Sequence, residues 1–342
     1  MNLKELSNIL KLSQTTVSRA LNGYPEVGEK TRLRVVEAAQ KYNYHPSSSA
    51  KQLAMGRSHA VAHVVPQSPE HSMINPHFSD FIAGAGETYS RFGYDMLIPV
   101  VPFDEQENCY RELAKSGRVD GVIVHGPAKD DARIELLESL KIPFVVHGRT
   151  ENGANRYSWL DVNNRSSFKR ATNFLLDLGH TRIALLNGLE EMDFAFRRRI
   201  GYESAMVQHG LEVDRDLIFS ADMIEPYGYE ITRELLKRPN PPTAVLTSSV
   251  LTALGVVRAA QEAGLHLGRD LSVLTFDDQL SFLQYSGVPL FTAVRSSIKE
   301  AGKRLAEILL ERIANPDSPP TQELWEAELV VGRSTGPRRI IE

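Results

Sequence analysis

The sequence predicts two kinds of structure in one chain: an N-terminal all-α helix-turn-helix unit, then a larger α/β body of two linked lobes. Three observations predict this. Two short helical patterns at the N-terminus are separated by a polar break, Lys11-Leu12-Ser13. From His59 onward, apolar strand-like runs alternate with amphipathic stretches, as parallel α/β sheets require. The length, 342 residues, exceeds the common size of one domain. Charge divides the chain in the same way. Residues 1–57 carry nine Lys/Arg and four Asp/Glu, and the remainder carries 30 and 39, so a basic head precedes an acidic body.

In the head, Asn2 followed by Glu5 has the spacing of a capping box, and Leu3, Leu6 and Leu10 share one face of a first helix. Ser13 caps a second helix over about 14–21, with Val17 and Leu21 turned inward. Asn22-Gly23 ends it with residues that tolerate positive φ. A third helix, about 30–42, buries Val35, Ala38, Ala39 and Tyr42. With Val17 and Leu21 inward, Gln14, Thr15, Ser18 and Arg19 face outward. These side-chain types read base edges in a major groove, Arg19 suiting guanine and Gln14 adenine. Ser13, at a helix N-terminus, suits a phosphate. Tyr44-His45-Pro46 then breaks the chain, and Ser47–Ala54 has the length of about two helical turns, too short to be stable alone.

In the body, the expected strands are Ala60–Val65, Tyr94–Pro99, Gly121–His125, Phe144–His147, Arg182–Asn187, Thr243–Thr247 and Leu271–Phe276. The expected helices include Phe78–Phe92, Asp131–Leu140, Ser166–Leu178 and Thr252–Ala263. Near Trp159–Asn163 the alternation pauses, and it then resumes in a second lobe. After the linker Asn315–Pro320, Glu323–Arg333 reads as one alternating strand. Ligands in open α/β lobes bind at the carboxyl ends of strands. Those ends carry Asn75-Pro76-His77-Phe78, His125-Gly126-Pro127, His147-Gly148-Arg149, Arg197-Arg198-Arg199, Thr247-Ser248-Ser249 and Phe276-Asp277-Asp278. An arginine fork, a carboxylate and an aromatic face together suit a polyhydroxyl ligand.

Several classes find no support. No G-x-G-x-x-G follows the first strand, no G-x-x-x-x-G-K-[ST] occurs, and no nucleophile–base set stands out, so the expectation is neither a phosphate-cradling nucleotide site nor an enzyme. The one cysteine, Cys109, excludes an intrachain disulfide and reads as a small half-buried apolar residue. No metal-ligand spacing is present, and no cofactor is expected. There is no signal-peptide pattern and no apolar run approaching the ~20 residues that span a bilayer, so the reading is cytoplasmic, with no membrane partner.

The run SQTTVSRALNG, then V-x-x-K-T-R, NYHP and AKQLA, resembles the lactose/galactose repressor (LacI/GalR) family. The resemblance extends through VNNRSSFKRATNFLLDLGHTRIALLNG, the R-x-x-G of Arg198–Gly201, and PTAVLTSSVLTALGVVRAAQEAGLHLGRDLSVLTFDD. It implies a DNA-binding domain over 1–46, a hinge helix over 47–57, and a periplasmic-binding-protein-like effector and dimerisation domain over 58–342. In that domain the first lobe would take about 58–160 and 291–321, and the second about 161–290 and 322–342. Two hinge helices would pair in the minor groove, with Leu53 as an apolar wedge. The DNA-facing set is then Asn2, Ser13, Gln14, Thr15, Ser18, Arg19, Asn22, Tyr44, Lys51 and Leu53. Phe78, Arg198 and Asp277 match effector contacts, and Arg149, Met223 and Ser249 fall at pocket positions.

There are departures from the family pattern. Lys11 stands at the turn where Gly is usual, Ser47 where Asn follows the hinge proline, and Gly148 where Asp is common. Ser249-Val250 replaces Asn-Asp, and Met223 replaces an aromatic. Effector identity therefore does not transfer. The implied function is a homodimeric operator-binding regulator, a repressor released by a small sugar, with an α-glucoside suggested by the head and hinge. The alternative is a sugar-binding protein of the periplasmic class without DNA function.

Overall fold

A computed structural model describes residues 1–44, 57–67, 76–277, 279 and 287–339. The expected hinge helix, with Lys51 and Leu53, lies outside the described residues, as does Asp278. Two compact units divide the chain, Met1–His59 and Ala60–Glu342.

In the first unit, α1 spans Leu3–Leu10, α2 Gln14–Leu21 and α3 Glu29–Lys41. The capping box forms: Glu5 N–H donates to Asn2 Oδ1 at 2.9 Å, and Asn2 N–H to Glu5 Oε2 at 3.0 Å. Helix α1 stops at Lys11, whose φ of 54° and ψ of 42° lie in the left-handed region. Arg34 Nη2 covers the freed end, donating to Leu10 O at 2.7 Å. Ser13 caps α2, accepting from Thr16 N–H at 3.0 Å. Leu6, Leu10, Val17, Ala20, Val27, Val35, Ala38 and Ala39 form the core.

Two tyrosines depart from expectation. Tyr42, expected inside, is 40% exposed, whereas Tyr44 is 8% exposed and joins that core. The cause is the end of α3. Asn43 takes a φ of 48°, and Tyr44 N–H donates back to Ala39 O at 2.8 Å, closing a left-handed turn that swings Tyr44 inward.

The second unit is built on two six-stranded sheets. In chain order its elements are β1 Ala60–His63, β2 Val65–Gln67, α4 Pro76–Arg91, β3 Asp95–Leu97, β4 Val100–Pro102, α5 Gln106–Ser116, β5 Gly121–His125, α6 Ala132–Leu140, β6 Phe144–His147 and β7 Ser158–Val162. Then come α7 Asn164–Asp177, β8 Ile183–Asn187, α8 Asp193–Gln208, β9 Ile218–Ser220, α9 Glu225–Leu235, β10 Ala244–Thr247, α10 Val250–Glu262 and β11 Ser272–Phe276. The last are β12 Thr292–Arg295, α11 Ile298–Ala314, β13 Gln322–Trp325 and β14 Glu328–Val330.

The first sheet has the order β13-β7-β6-β5-β1-β3 and the second β14-β12-β11-β10-β8-β9. All pairs are parallel except β12 with β14. Parallel strands are covered on both faces, which is why Val122–Val124 and Ile183–Leu186 are continuously apolar and buried. Phe81, Tyr89, Leu305 and Leu309, from α4 and α11, cover one face of the first sheet; Tyr110, Leu113, Ile134 and Leu137, from α5 and α6, cover the other. Cys109 is half-buried against that second layer, as its composition suggests.

Four expectations are corrected. The pause at Trp159–Asn163 is strand β7, inside the first sheet rather than a gap between lobes. Tyr94–Pro99 shortens to β3, because the chain leaves the sheet at Ile98-Pro99, and the next strand, β4, pairs with β2 instead. Glu323–Arg333 is two strands, one in each sheet. Residues 292–295, expected in the first lobe, pair with β11 of the second, and 322–325, expected in the second, pair with β7 of the first. The chain thus passes between sheets at 162–164, 295–298 and 325–328. Strand alternation encodes two faces and not the identity of the neighbour, so these exchanges leave no local trace.

Candidate functional site

In the head, the first turn of α2 presents Gln14 and Thr15 to solvent, and Arg19 is exposed one turn on. Ser18 is half-buried, and Asn22 Nδ2 donates to its carbonyl at 2.9 Å. Asn2 and Ser13 are exposed but committed as helix caps. Tyr44, expected to face DNA, has its ring in the core, and burial pushes its phenol pKa up. The outward face is therefore Gln14 and Thr15 in the first turn of α2, where free backbone amides lie, and Arg19 in its last turn.

In the body, a cavity of about 230 Å³ opens between the carboxyl ends of the two sheets. Five of the six expected effector residues line it: Arg149, Arg198, Met223, Ser249 and Asp277. Phe78 does not. It is half-buried with its ring edge-on to His125, centroids 5.3 Å apart, and the adjacent His77 lines the cavity instead. One residue per helical step turns the side chain by about 100°, so adjacent positions exchange faces. Phe78, expected among the effector contacts, thus lies off the cavity wall, and His77 is on it.

Arg198, from α8, is the most constrained group. Its Nε donates to Asn164 Oδ1 at 2.8 Å and its Nη1 to Ser248 O at 2.8 Å. The guanidinium carbon lies 3.9 Å from the centroid of the Phe276 ring and 4.8 Å from that of Phe194. Burial lowers its pKa, against the raising fields of Asp161 and Asp277. Nη2 is left without a hydrogen-bond partner among the described residues and belongs to a cavity-lining side chain. Gly201 of the R-x-x-G pattern explains how α8 comes so close to α7: a Cβ there would lie 2.3 Å from Arg165 O.

On the opposite wall, Arg149 Nε donates to Asp161 Oδ2 at 3.0 Å, and Asn164 Nδ2 donates to Asp161 Oδ1 at 3.2 Å. Burial raises the Asp161 pKa to about 6, opposed by Arg149. Gly148, at a φ of 102°, is held under Pro127, where a Cβ would meet the ring at 2.8 Å. Asp277 is buried at a φ of 47°, accepting from Gln279 N–H at 3.2 Å. Arg197 pairs with Asp193 and reaches Thr150 O at 3.5 Å, linking the lobes.

Beneath the first-lobe wall lies a stack of histidines. His63 Nδ1 and His125 Nε2 are 3.0 Å apart and share one hydrogen bond, and His63 Nε2 is 3.1 Å from Tyr89 Oη. His147 packs on Phe81 and reaches the cavity, whereas His125 is sheet-end packing. Burial lowers the pKa of His63 to about 3 and of His147 to about 4, and that of His125 well below its usual value. His77 is lowered to about 4 by burial and Arg198.

Sequence reading missed His77, Asp161, Asn164, Phe194 and Ser296-Ser297 as lining residues. Asp161 was hidden because β7 was not read as a strand, so its carboxyl end carried no weight. Among the described residues no group of His, Cys, Asp and Glu has the arrangement of a metal site. No helix among them is long and apolar enough to cross a membrane.

Residues 3–47 match the family described as bacterial regulatory proteins, lacI family, and residues 172–335 match a periplasmic binding protein-like domain. The chain is 45% identical to the HTH-type transcriptional regulator AglR of Rhizobium meliloti (strain 1021), over 98% of this chain and 95% of that one. A solved transcriptional regulator CelR–cellobiose complex is 27% identical, with a TM-score of 0.73, covering 98% of this chain and 99% of that one. The lac repressor dimer bound to operator and the anti-inducer ONPF superposes with a TM-score of 0.85 at 23% identity, over 98% and 99% of the two chains, which establishes the shared fold.

Proposed function

As the chain belongs to the lacI family of bacterial regulatory proteins, we infer that this helix-turn-helix transcriptional regulator acts as a homodimeric, cytoplasmic repressor, released from its operator when a small neutral sugar fills the body cavity. Residues 1–46 read the operator, 47–57 connect, and the two lobes bind the effector. In the head, Gln14, Thr15 and Arg19 read bases, and Asn2, Ser13, Ser18 and Asn22 set the backbone register. Two heads then meet two half-sites related by a two-fold axis.

The observation that carries the effector reading is Arg198, buried between Phe194 and Phe276 with two nitrogens tied and Nη2 left to a ligand oxygen. Arginine and carboxylate forks bind hydroxyl pairs, and aromatic faces take the C–H face of a sugar ring. The relative solved with cellobiose supports a saccharide. An α-glucoside is the first class to test, on the resemblance of the head and hinge. The sugar acts only insofar as it binds one lobe arrangement better than the other, a coupling typically of ~1–3 kcal/mol per site.

The test has two arms. The full chain is titrated with operator-containing and unrelated duplexes across a salt series, then again with α-glucosides present. Sequence-selective binding with a steep negative salt slope, weakened by a glucoside, supports the reading. Equal affinity for all duplexes overturns the regulator role, and unchanged operator affinity with every sugar that binds overturns release.

A further inference from the structure

The cavity holds two cations and two carboxylates, and they are not equivalently free. Arg149 gives its Nε to Asp161 at 3.0 Å, with no hydrogen bond from Nη1 or Nη2 among the described residues, and its guanidinium carbon lies 5.2 Å from the centroid of the Trp159 ring. Asp161 is in turn buried and fixed by Asn164. In a buried site such a pair is neutral as a unit, and any second carboxylate brought to Arg149 would lie beside the first. Arg198 faces the fields of both Asp161 and Asp277, so an anion at Nη2 meets two like charges near by. His77 and His147, kept neutral by burial, add no positive charge at neutral pH.

We propose that Asp161 is the specificity-determining residue that restricts the cavity to uncharged saccharides: by placing its own carboxylate against Arg149, it offsets the charge that would otherwise bind a sugar carboxylate. The proposal rests on the saccharide reading above and adds the chemical class of the effector and the residue that sets it. Removing only the charge, as in Asp161→Asn, leaves a side chain of the same shape beside an unopposed Arg149. The cavity then becomes an acid-sugar site, since the guanidinium charge is uncompensated and its terminal nitrogens form a fork that suits a carboxylate.

The experiment compares affinities of the full chain for an α-glucoside panel (maltose, trehalose, methyl α-glucoside) and for methyl α-glucuronide, which carries a carboxylate at C6. The unaltered chain is expected to bind its best glucoside at least tenfold more tightly than the glucuronide. Asp161→Asn is expected to raise the glucuronide-to-glucoside affinity ratio at least tenfold, and Arg149→Met added to it to remove the gain. A ratio unchanged within twofold in a folded Asp161→Asn variant, or equal binding of both sugars by the unaltered chain, overturns the proposal. Binding of no sugar by the unaltered chain fails the saccharide reading itself, and the proposal with it.

A second measurement needs no Asp161 variant. Arg149, Asn164, the Val162 amide, Asp193, Arg197 and Arg198 surround Asp161, and burial raises its pKa to about 6, between the two pH values compared. At pH 5.5 the cavity histidines remain neutral. The glucuronide-to-glucoside ratio of the unaltered chain therefore rises severalfold between pH 7.5 and 5.5, and Arg149→Met abolishes the rise. A flat ratio overturns the proposal.

Discussion

Arg198 on α8 donates from Nε to Oδ1 of Asn164, the first residue of α7, at 2.8 Å. Asn164 also donates to Asp161 Oδ1 and to Val162 O, both on β7 of the first sheet. One amide thus joins the guanidinium of the second lobe to the last turn of backbone leaving the first. A ligand at Arg198 Nη2 would meet groups held by both lobes, the geometry that the proposed coupling of occupancy to lobe arrangement needs.

Arg198→Ala leaves the operator affinity of the sugar-free chain unchanged and removes the response to effector. The lost hydrogen bond involves a charged donor, worth about 1.5–3 kcal/mol, or roughly a tenfold to hundredfold loss of sugar affinity. Calorimetric titration with the best-binding glucoside reads it, and a wild-type isotherm would remove Arg198 from the site.

Arg19→Ala is expected to weaken specific binding by about 1–3 kcal/mol and to relax discrimination at one position per half-site. Thermal stabilisation by sugar stays the same, since the side chain is exposed on the head and the cavity belongs to the body. Footprinting on the cognate operator checks this; an unaltered footprint speaks against α2 as the reading helix.

Lys11→Gly is expected to stabilise the head. Lys11 occupies the left-handed region at a φ of 54°. That conformation costs a side-chain-bearing residue roughly 1–2 kcal/mol, offset in part by the ~0.5–1 kcal/mol entropic cost of glycine. A net gain of a few tenths to about 1 kcal/mol should appear in urea unfolding of the head transition, and Lys11→Val should move it the other way. A glycine variant less stable than the parent would contradict the strain.

Acid should destabilise the body before its surface carboxylates titrate. His63 and His147 are lowered by burial to about 3 and 4, and His125 well below its usual value, so between about 4 and about 6.5 the unfolded chain binds more protons than the folded one. Stability is then fully present above about pH 6.5 and falls as pH drops toward 4. His77 acts in the same direction. Asp161, raised by burial to about 6, acts in the opposite direction, as does Asp193, also raised by burial. The melting temperature of the body transition should therefore decrease from pH 7 to pH 5, and less so in His147→Phe. An equal slope in that variant would show that the stack does not set it.

Much of the head was legible because its signals are local. The Asn2–Glu5 capping box, Ser13 as cap and the outward set of α2 each depend on residues within one or two turns. Tyr44 was not, because the choice between Tyr42 and Tyr44 as the buried ring turns on a single left-handed residue, Asn43, and nothing in the apolar pattern marks it. In the body, strand–helix alternation carried the fold class, and Arg198, Asp277, Met223, Ser249 and Arg149 were reached through strand ends and family motifs. Asp161 and His77 were not, one lying on an unread strand and the other one helical step from the residue expected.

By itself, then, the sequence determined the basic three-helix head, the two α/β lobes, and most of the polar groups that line their cavity. Only the tertiary structure decided that β12 and β14 belong to one sheet and β13 to the other, that Asn164 ties Arg198 to the first lobe, and that Asp161 pairs with Arg149. The physical reason is range. Caps, periods and turns are written into neighbouring residues. The pairing of Gln322 with Trp159, or the reach of Arg198 to Ser248, brings together residues 163 and 50 positions apart, and is fixed by the packing of the whole body.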